Sequence, residues 1–181
     1  MQIKNGLPKF RNETALIIVS GTNDARLFEA KNGEINETGY IKAEKPDYSD
    51  REGHFKVRSA SKAMRSGAVY EDKEHIVKKD YFKTLRPILK RYTNENEPTY
   101  LYLFCPQPIK EEIRNVFPPA LQSKLTLVET GNYNHRHPFD LLEKIQVLDK
   151  KRKVLQNYQT EAKKILDKFQ SIGTYLHQRL Y

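Results

Sequence analysis

Cysteine occurs once in this 181-residue chain, methionine twice and tryptophan not at all. A single thiol cannot close an internal disulfide framework or supply a cysteine zinc site. Cys105 ends the apolar run Leu101-Tyr102-Leu103-Phe104-Cys105. There it reads as a buried, inert thiol, since a reactive one needs an electropositive and partly exposed setting. No apolar stretch approaches the ~20 residues that span a bilayer. The opening Met1-Gln2-Ile3-Lys4-Asn5-Gly6 leads into no apolar core of a signal peptide. The expectation is a cytoplasmic protein with no membrane partner. Neither Gly-x-x-x-x-Gly-Lys nor Gly-x-Gly-x-x-Gly occurs, so nothing supports a phosphate-cradling nucleotide loop or another cofactor.

What the chain does have is charge. Hydrophobic residues make up 38% and charged residues 30%, with 11 tyrosines and 8 phenylalanines. That is a globular composition on the polar side, with length for one domain and an extension. The net charge of +9 is unevenly placed: residues 51–92 hold 12 basic and 5 acidic side chains, and residues 141–181 hold 9 and 4. Residues 1–50 (7 and 8) and 93–140 (4 and 6) are slightly acidic. Such segregation suits a surface that meets a polyanion, although solvated helix faces can look the same.

Residues 1–13 form an irregular lead-in. Ala15-Leu16-Ile17-Ile18-Val19 is a β-branched apolar run, Ala25–Ala30 a second strand, and Asn32-Gly33 a strong hairpin signal before a third strand over Glu34–Lys42. From 43 to 67 no period survives, and a loop this long in a compact domain is usually functional or mobile. Helical spacing returns over Ala68–Tyr92, with Pro87 expected to kink or break it near Arg86. Thr99–Cys105 reads as a strand buried on both faces, Ile109–Phe117 as a short helix and Lys124–Glu129 as a further strand. A last helix starts at Pro138 and runs to about Ile172. In it Leu155, Tyr158, Ala162, Ile165, Phe169, Ile172 and Leu176 recur at spacings of 3 and 4, a heptad seam open to packing back on the domain or to a homodimer. The expected fold is α/β: a mixed five-stranded sheet, an antiparallel meander and then alternating strands and helices, flanked by helices and ending in a long C-terminal helix. The expected organisation is a domain over 14–150 and a helical extension over 151–181.

The order and spacing of these elements resemble the ribonuclease-H-like central domain of archaeal and eukaryotic class I release factors and Pelota. They look closest to its bacterial relatives, including those labelled host-attachment proteins. Ala15–Val19 through Asp24-Ala25-Arg26-Leu27-Phe28 is similar to the family's opening hairpin. Tyr102–Cys105 with Pro106–Phe117, then Leu121–Val128, then Asn132–Leu142 are similar to its later elements. The resemblance implies a ribonuclease-H-like fold and a role in translation release, rescue or hibernation. It also marks a departure. Where release factors carry Gly-Gly-Gln, this chain has Ser49-Asp50-Arg51-Glu52-Gly53-His54-Phe55. Peptide-release activity therefore does not transfer.

Few residues point to chemistry. His54 lies beside Asp50 and Glu52, and His135-Arg136-His137 precedes Asp140; a general base or a metal ligand is conceivable at each, but exposed loop histidines are the plainer reading. A nuclease needs clustered carboxylates, and Asp24 has no evident partner set. No catalytic or metal-binding residue is assigned. The residues expected to bind nucleic acid are Arg51, Phe55, Lys56, Arg58, Lys62 and Arg65 in the loop, with Lys150, Lys151, Arg152 and Lys153 on the last helix. The reading is a binding module whose partner is RNA or the ribosome. A homo-oligomeric interaction protein with an incidental basic surface, or a metal-dependent hydrolase, are the alternatives.

Overall fold

Every residue of β1 (Thr14–Ser20) is buried, and this strand is the middle of a five-stranded sheet. The computed structural model of the chain describes residues 1–43 and 69–178, with side chains described over 1–43 and 77–166. β2 (Asp24–Lys31) pairs antiparallel with β1, and β3 (Glu34–Lys42) antiparallel with β2. On the other side β4 (Tyr100–Cys105) runs parallel to β1, and β5 (Leu125–Thr130) parallel to β4. The order across the sheet is β3-β2-β1-β4-β5, the expected mixed sheet.

The sequence pattern follows from these positions. β1 and β4 have a neighbour on each side and are buried almost throughout, so no polar alternation survives in them. β3 lies at an edge and buries only Ile35 and Ile41. Its turn uses Asn32 (φ 52°) and Gly33 (φ 83°), the two positive φ angles of the tight hairpin turn that matches strand twist. Met1–Ile3 borders the start of β3: Ile3 N–H donates to Gly33 O at 2.7 Å and Ile35 N–H to Met1 O at 2.9 Å.

One face of the sheet carries Leu16, Ile18, Leu27, Leu101, Leu103 and Cys105 into a single apolar cluster. Helix α1 (Val69–Asn96) supplies Tyr81, Leu85, Leu89 and Tyr92 to it, one face of the helix at spacings of 4, 4 and 3. Burying each such leucine contributes about 1.5–3 kcal/mol. Pro87 does not break the helix, which continues through it to Asn96. Pro87 is exposed, so the carbonyl left without its amide partner can turn to water. After β4, a 3-10 turn over Gln107–Ile109 enters α2 (Lys110–Val116), with Glu111 and Glu112 in the first turn, where the helix dipole favours them. The Pro118-Pro119 pair follows the end of α2 and opens one further turn, α3 (Pro119–Gln122), because proline suits the first helical position.

Met1–Lys4 and Lys9–Arg136 form one compact unit, and Asn5–Pro8 with 137–181 a second. The second holds α4 (Pro138–Gln178). Leu141, Leu142 and Ile145 are fully buried, and Gln146 Nε2 donates to Gly6 O. From Lys153 to Leu166 the helix is exposed all round. No described helix is long and apolar enough to cross a membrane.

Candidate nucleic-acid interface

Three connecting segments meet at the carboxyl ends of the parallel strands, the usual place for ligands in α/β sheets. They are the β1–β2 turn over 21–23, the residues that leave β3 at Ala43, and the stretch after β5. Ala43 N–H donates to Asn23 O at 2.7 Å. The chain at Ala43, the last described residue before 69, therefore lies beside the first turn. Gly21 N–H donates back to Asp24 O at 2.8 Å, and Tyr81 OH reaches the same carbonyl at 3.1 Å from α1. Tyr81 OH also lies 2.6 Å from Ser20 Oγ, and both residues are buried. Burial pushes the Tyr81 hydroxyl pKa up, only partly offset by the Ser20 bond.

The stretch after β5 is clasped to this turn. Asn134 Nδ2 donates to Asp24 Oδ1 at 2.8 Å. Arg26 Nη1 donates to the carbonyls of Asn134 and Arg136 at 3.3 and 3.4 Å. The same guanidinium grips Glu37 of β3 through two bonds, at 3.1 and 2.8 Å, and lies 4.7 Å over the Phe28 ring. The bond from Arg26 holds the Glu37 carboxyl below its ordinary pKa, and Glu37 in turn raises that of Arg26. A fork–fork pair with extra carbonyl acceptors fixes geometry more than it stabilises a surface.

Chemically, this end of the sheet is a scaffold. Asp24 is bonded to an amide, and among the described residues no three His, Cys, Asp or Glu side chains could hold a metal. His135 and Arg136 are exposed. His137 is the residue before α4, and its Nδ1 accepts the Phe139 amide at 3.2 Å while its ring meets Phe139 edge-on at 5.0 Å. That is an N-cap arrangement, so one histidine of the His135–His137 pair has a structural task. Away from this end, a groove of about 460 Å³ lies between β3 and α1. Beside it Tyr92 OH donates to Glu29 Oε2, and burial raises the Tyr92 hydroxyl pKa.

His54 and the expected loop contacts Arg51, Phe55, Lys56, Arg58, Lys62 and Arg65 lie outside the described residues. The second group is on α4. Lys150, Lys151 and Lys153 are exposed, while Arg152 is half-buried and pairs with Asp149 at 3.4 Å. Four consecutive helical positions point in four directions, so the run does not form one face. The Asp24–Asn134 clasp over Gly21 had no signature in the sequence, because its members belong to separate loops.

No protein-family model matches the chain, and no curated protein matches it. Among solved structures it is similar to an archaeal translation termination factor, aRF1, with a TM-score of 0.44 and 13% identity over 80% of this chain and 41% of that one. It is also similar to a second archaeal protein, with a TM-score of 0.40 and 11% identity over 80% of this chain and 40% of that one. The chain thus spans about two fifths of each of these structures.

Proposed function

We infer that this chain is an RNA- or ribosome-binding protein of the release-factor-like group and has no hydrolase activity of its own. The observation that carries this reading is the placement of charge. Residues 51–92 hold 12 basic and 5 acidic side chains, and Ala43, the last described residue before them, lies beside the clasped turn, at the end of the sheet where α/β folds commonly bind ligands. A cationic excess of this density suits phosphate contacts, which give affinity without reading sequence. The ribosome, rather than any other RNA, is proposed on the order of elements from Ala15 to Leu142. The absence of Gly-Gly-Gln over 49–55 removes the water-positioning step of peptide release.

Cosedimentation of the tagged protein with purified ribosomes at two salt concentrations tests the reading. Retention at low salt that falls steeply at high salt is expected. A protein that stays in the supernatant at both, and that binds no free RNA, is not an adaptor of this kind. Peptide release from stalled ribosomes, abolished by His54→Ala, would overturn the non-catalytic part alone.

A second reading is favoured by one observation on α4. Leu155 (61% exposed), Tyr158 (67%) and Ile165 (55%) stand open along the heptad seam. A second copy of the chain would cover them in a coiled coil, burying a and d positions that water otherwise meets. Analytical ultracentrifugation of the wild type against Leu155→Glu/Ile165→Glu decides whether the seam makes a homodimer.

A further inference from the structure

The geometry points to a second nucleic-acid contact, a cationic ridge along α1 made by Lys79, Lys83, Arg86 and Lys90, which tracks the phosphodiester backbone of one strand. It rests on the reading that the chain binds nucleic acid, but it concerns residues other than those of 51–65 and 150–153.

The spacing is 4, 3 and 4 residues. At 3.6 residues per turn these four positions fall within about 60° of one another around the helix, and at 1.5 Å per residue they extend over about 16 Å. The buried face of α1, marked by Tyr81, Leu85, Leu89 and Tyr92, points away from them. All four ridge residues are exposed. Where α1 borders α2, a cation is compensated, with Lys78 Nζ 2.6 Å from Glu112 Oε1. On the ridge the charge stays open. Lys79, Lys83 and Lys90 make no ion pair among the described residues, and Arg86 donates only to the Asn115 carbonyl, at 3.3 Å. The acids of this part of the helix, Asp80 and Glu95, fall outside the stripe.

Like charges four residues apart destabilise a helix, and Lys79/Lys83 and Arg86/Lys90 are two such pairs. A line of anions relieves that repulsion. A phosphodiester backbone is such a line, with its charges in sequence along a strand, and binding it releases condensed counterions. Three of the four residues are lysines, which act as point charges on phosphate rather than as two-pronged readers of a base. The ridge therefore contributes affinity and orientation without sequence preference.

The test measures the salt dependence of binding of the full chain to oligouridylate and to oligodeoxythymidylate. The variant Lys79→Gln/Lys83→Gln/Arg86→Gln/Lys90→Gln is compared with Lys4→Gln/Arg11→Gln/Lys31→Gln/Lys124→Gln, which removes the same charge from scattered positions. Each neutralised phosphate adds about 0.7 to the log–log slope for single strands, so the ridge variant should flatten it by about 2–3. The effect should be equal on the two oligomers, because backbone contacts ignore base and 2′-hydroxyl. The scattered variant should change the slope by less than half as much. Equal losses in both variants, or none in the ridge variant while the wild type binds, overturn the ridge and leave the adaptor reading standing. Wild-type chain that binds neither oligomer, or only polyglutamate, overturns both. Glutamine keeps helix propensity. If the fourfold variant nevertheless melts early, Lys79→Gln/Lys83→Gln and Arg86→Gln/Lys90→Gln decide instead, each expected to flatten the slope by about 1.4.

Discussion

Asn134 and Asp24, 110 residues apart, join through a 2.8 Å bond that closes directly over Gly21. A β-carbon on Gly21 would sit 2.2 Å from Asn134 Nδ2 and 2.3 Å from Asp24 Oδ1. The Asp24–Asn134 bond between the turn that starts β2 and the stretch after β5 thus needs the space that a side chain at residue 21 would take. The clasp lies at the end of the sheet where α/β folds commonly bind ligands.

Gly21→Ala must therefore push the clasp apart. Losing a part-buried hydrogen bond and crowding the turn should destabilise the chain by about 1–3 kcal/mol. Urea unfolding followed by circular dichroism measures it. A change under about 0.5 kcal/mol, the range of a neutral surface substitution, would mean that the clasp opens freely and is no scaffold.

Tyr81 carries the second tie, from α1 to the same turn. Its hydroxyl is shared between Ser20 Oγ and the Asp24 carbonyl. Tyr81→Phe removes both bonds of this hydroxyl, while Ser20 Oγ keeps its 2.9 Å bond to the Gly21 carbonyl, and should cost about 1–2 kcal/mol. The Ser20–Tyr81 bond is lost in Ser20→Ala as well, so in the double variant the two losses should not add. Strict additivity in urea melts would show that the two hydroxyls act independently.

The tyrosines also show where sequence reading stopped. The apolar spacing of α1 was legible through Leu85 and Leu89, but Tyr81 and Tyr92, both core residues, look half-polar until their hydroxyl partners are known. β1, β4 and the turn at Asn32-Gly33 were legible because continuous apolar runs and paired positive φ angles are local facts. The break allowed for at Pro87 does not occur: its solvent-facing position is set by which helix face the sheet takes, and that is a tertiary fact. The clasp of Asp24, Asn134 and Arg26 depends on loops brought together by strand order, so no local pattern announces it. The α1 ridge lay in plain view as positions 79, 83, 86 and 90. Only the buried face of the helix singles it out from the general charge of residues 51–92.

Cys105 gives a pH-dependent test. It is fully buried, and that burial pushes its thiol pKa from 9.0 up to about 11, with Lys110 lowering it slightly. The folded state therefore prefers the protonated thiol. This contribution to stability is complete below pH 9.0 and is lost as pH rises towards 11. The stability gap between wild type and Cys105→Ala should narrow by on the order of 2 kcal/mol between pH 8 and 11. At pH 8 the native thiol should resist iodoacetamide until urea unfolds the chain. Rapid alkylation without denaturant would place the thiol at the surface and end this reading.

The two basic groups recognised in the sequence should contribute unequally to nucleic-acid binding. The five cations Arg51, Lys56, Arg58, Lys62 and Arg65 fall within 15 consecutive residues of the most basic stretch of the chain. On α4, by contrast, Lys150, Lys151, Arg152 and Lys153 point around the helix, and Arg152 is already paired with Asp149. At about 0.7 per phosphate on single-stranded RNA, alanine at the five loop positions should flatten the salt slope by about 2–3, and alanine at the four helix positions by about 1. Fluorescence anisotropy with oligouridylate over a salt series gives both slopes. If the loop variant stayed folded and kept the wild-type slope while the helix variant lost most of it, the loop would not be the main contact. Contact would then have shifted to α4, where the open seam of Leu155, Tyr158 and Ile165 could set two basic helices side by side in a dimer.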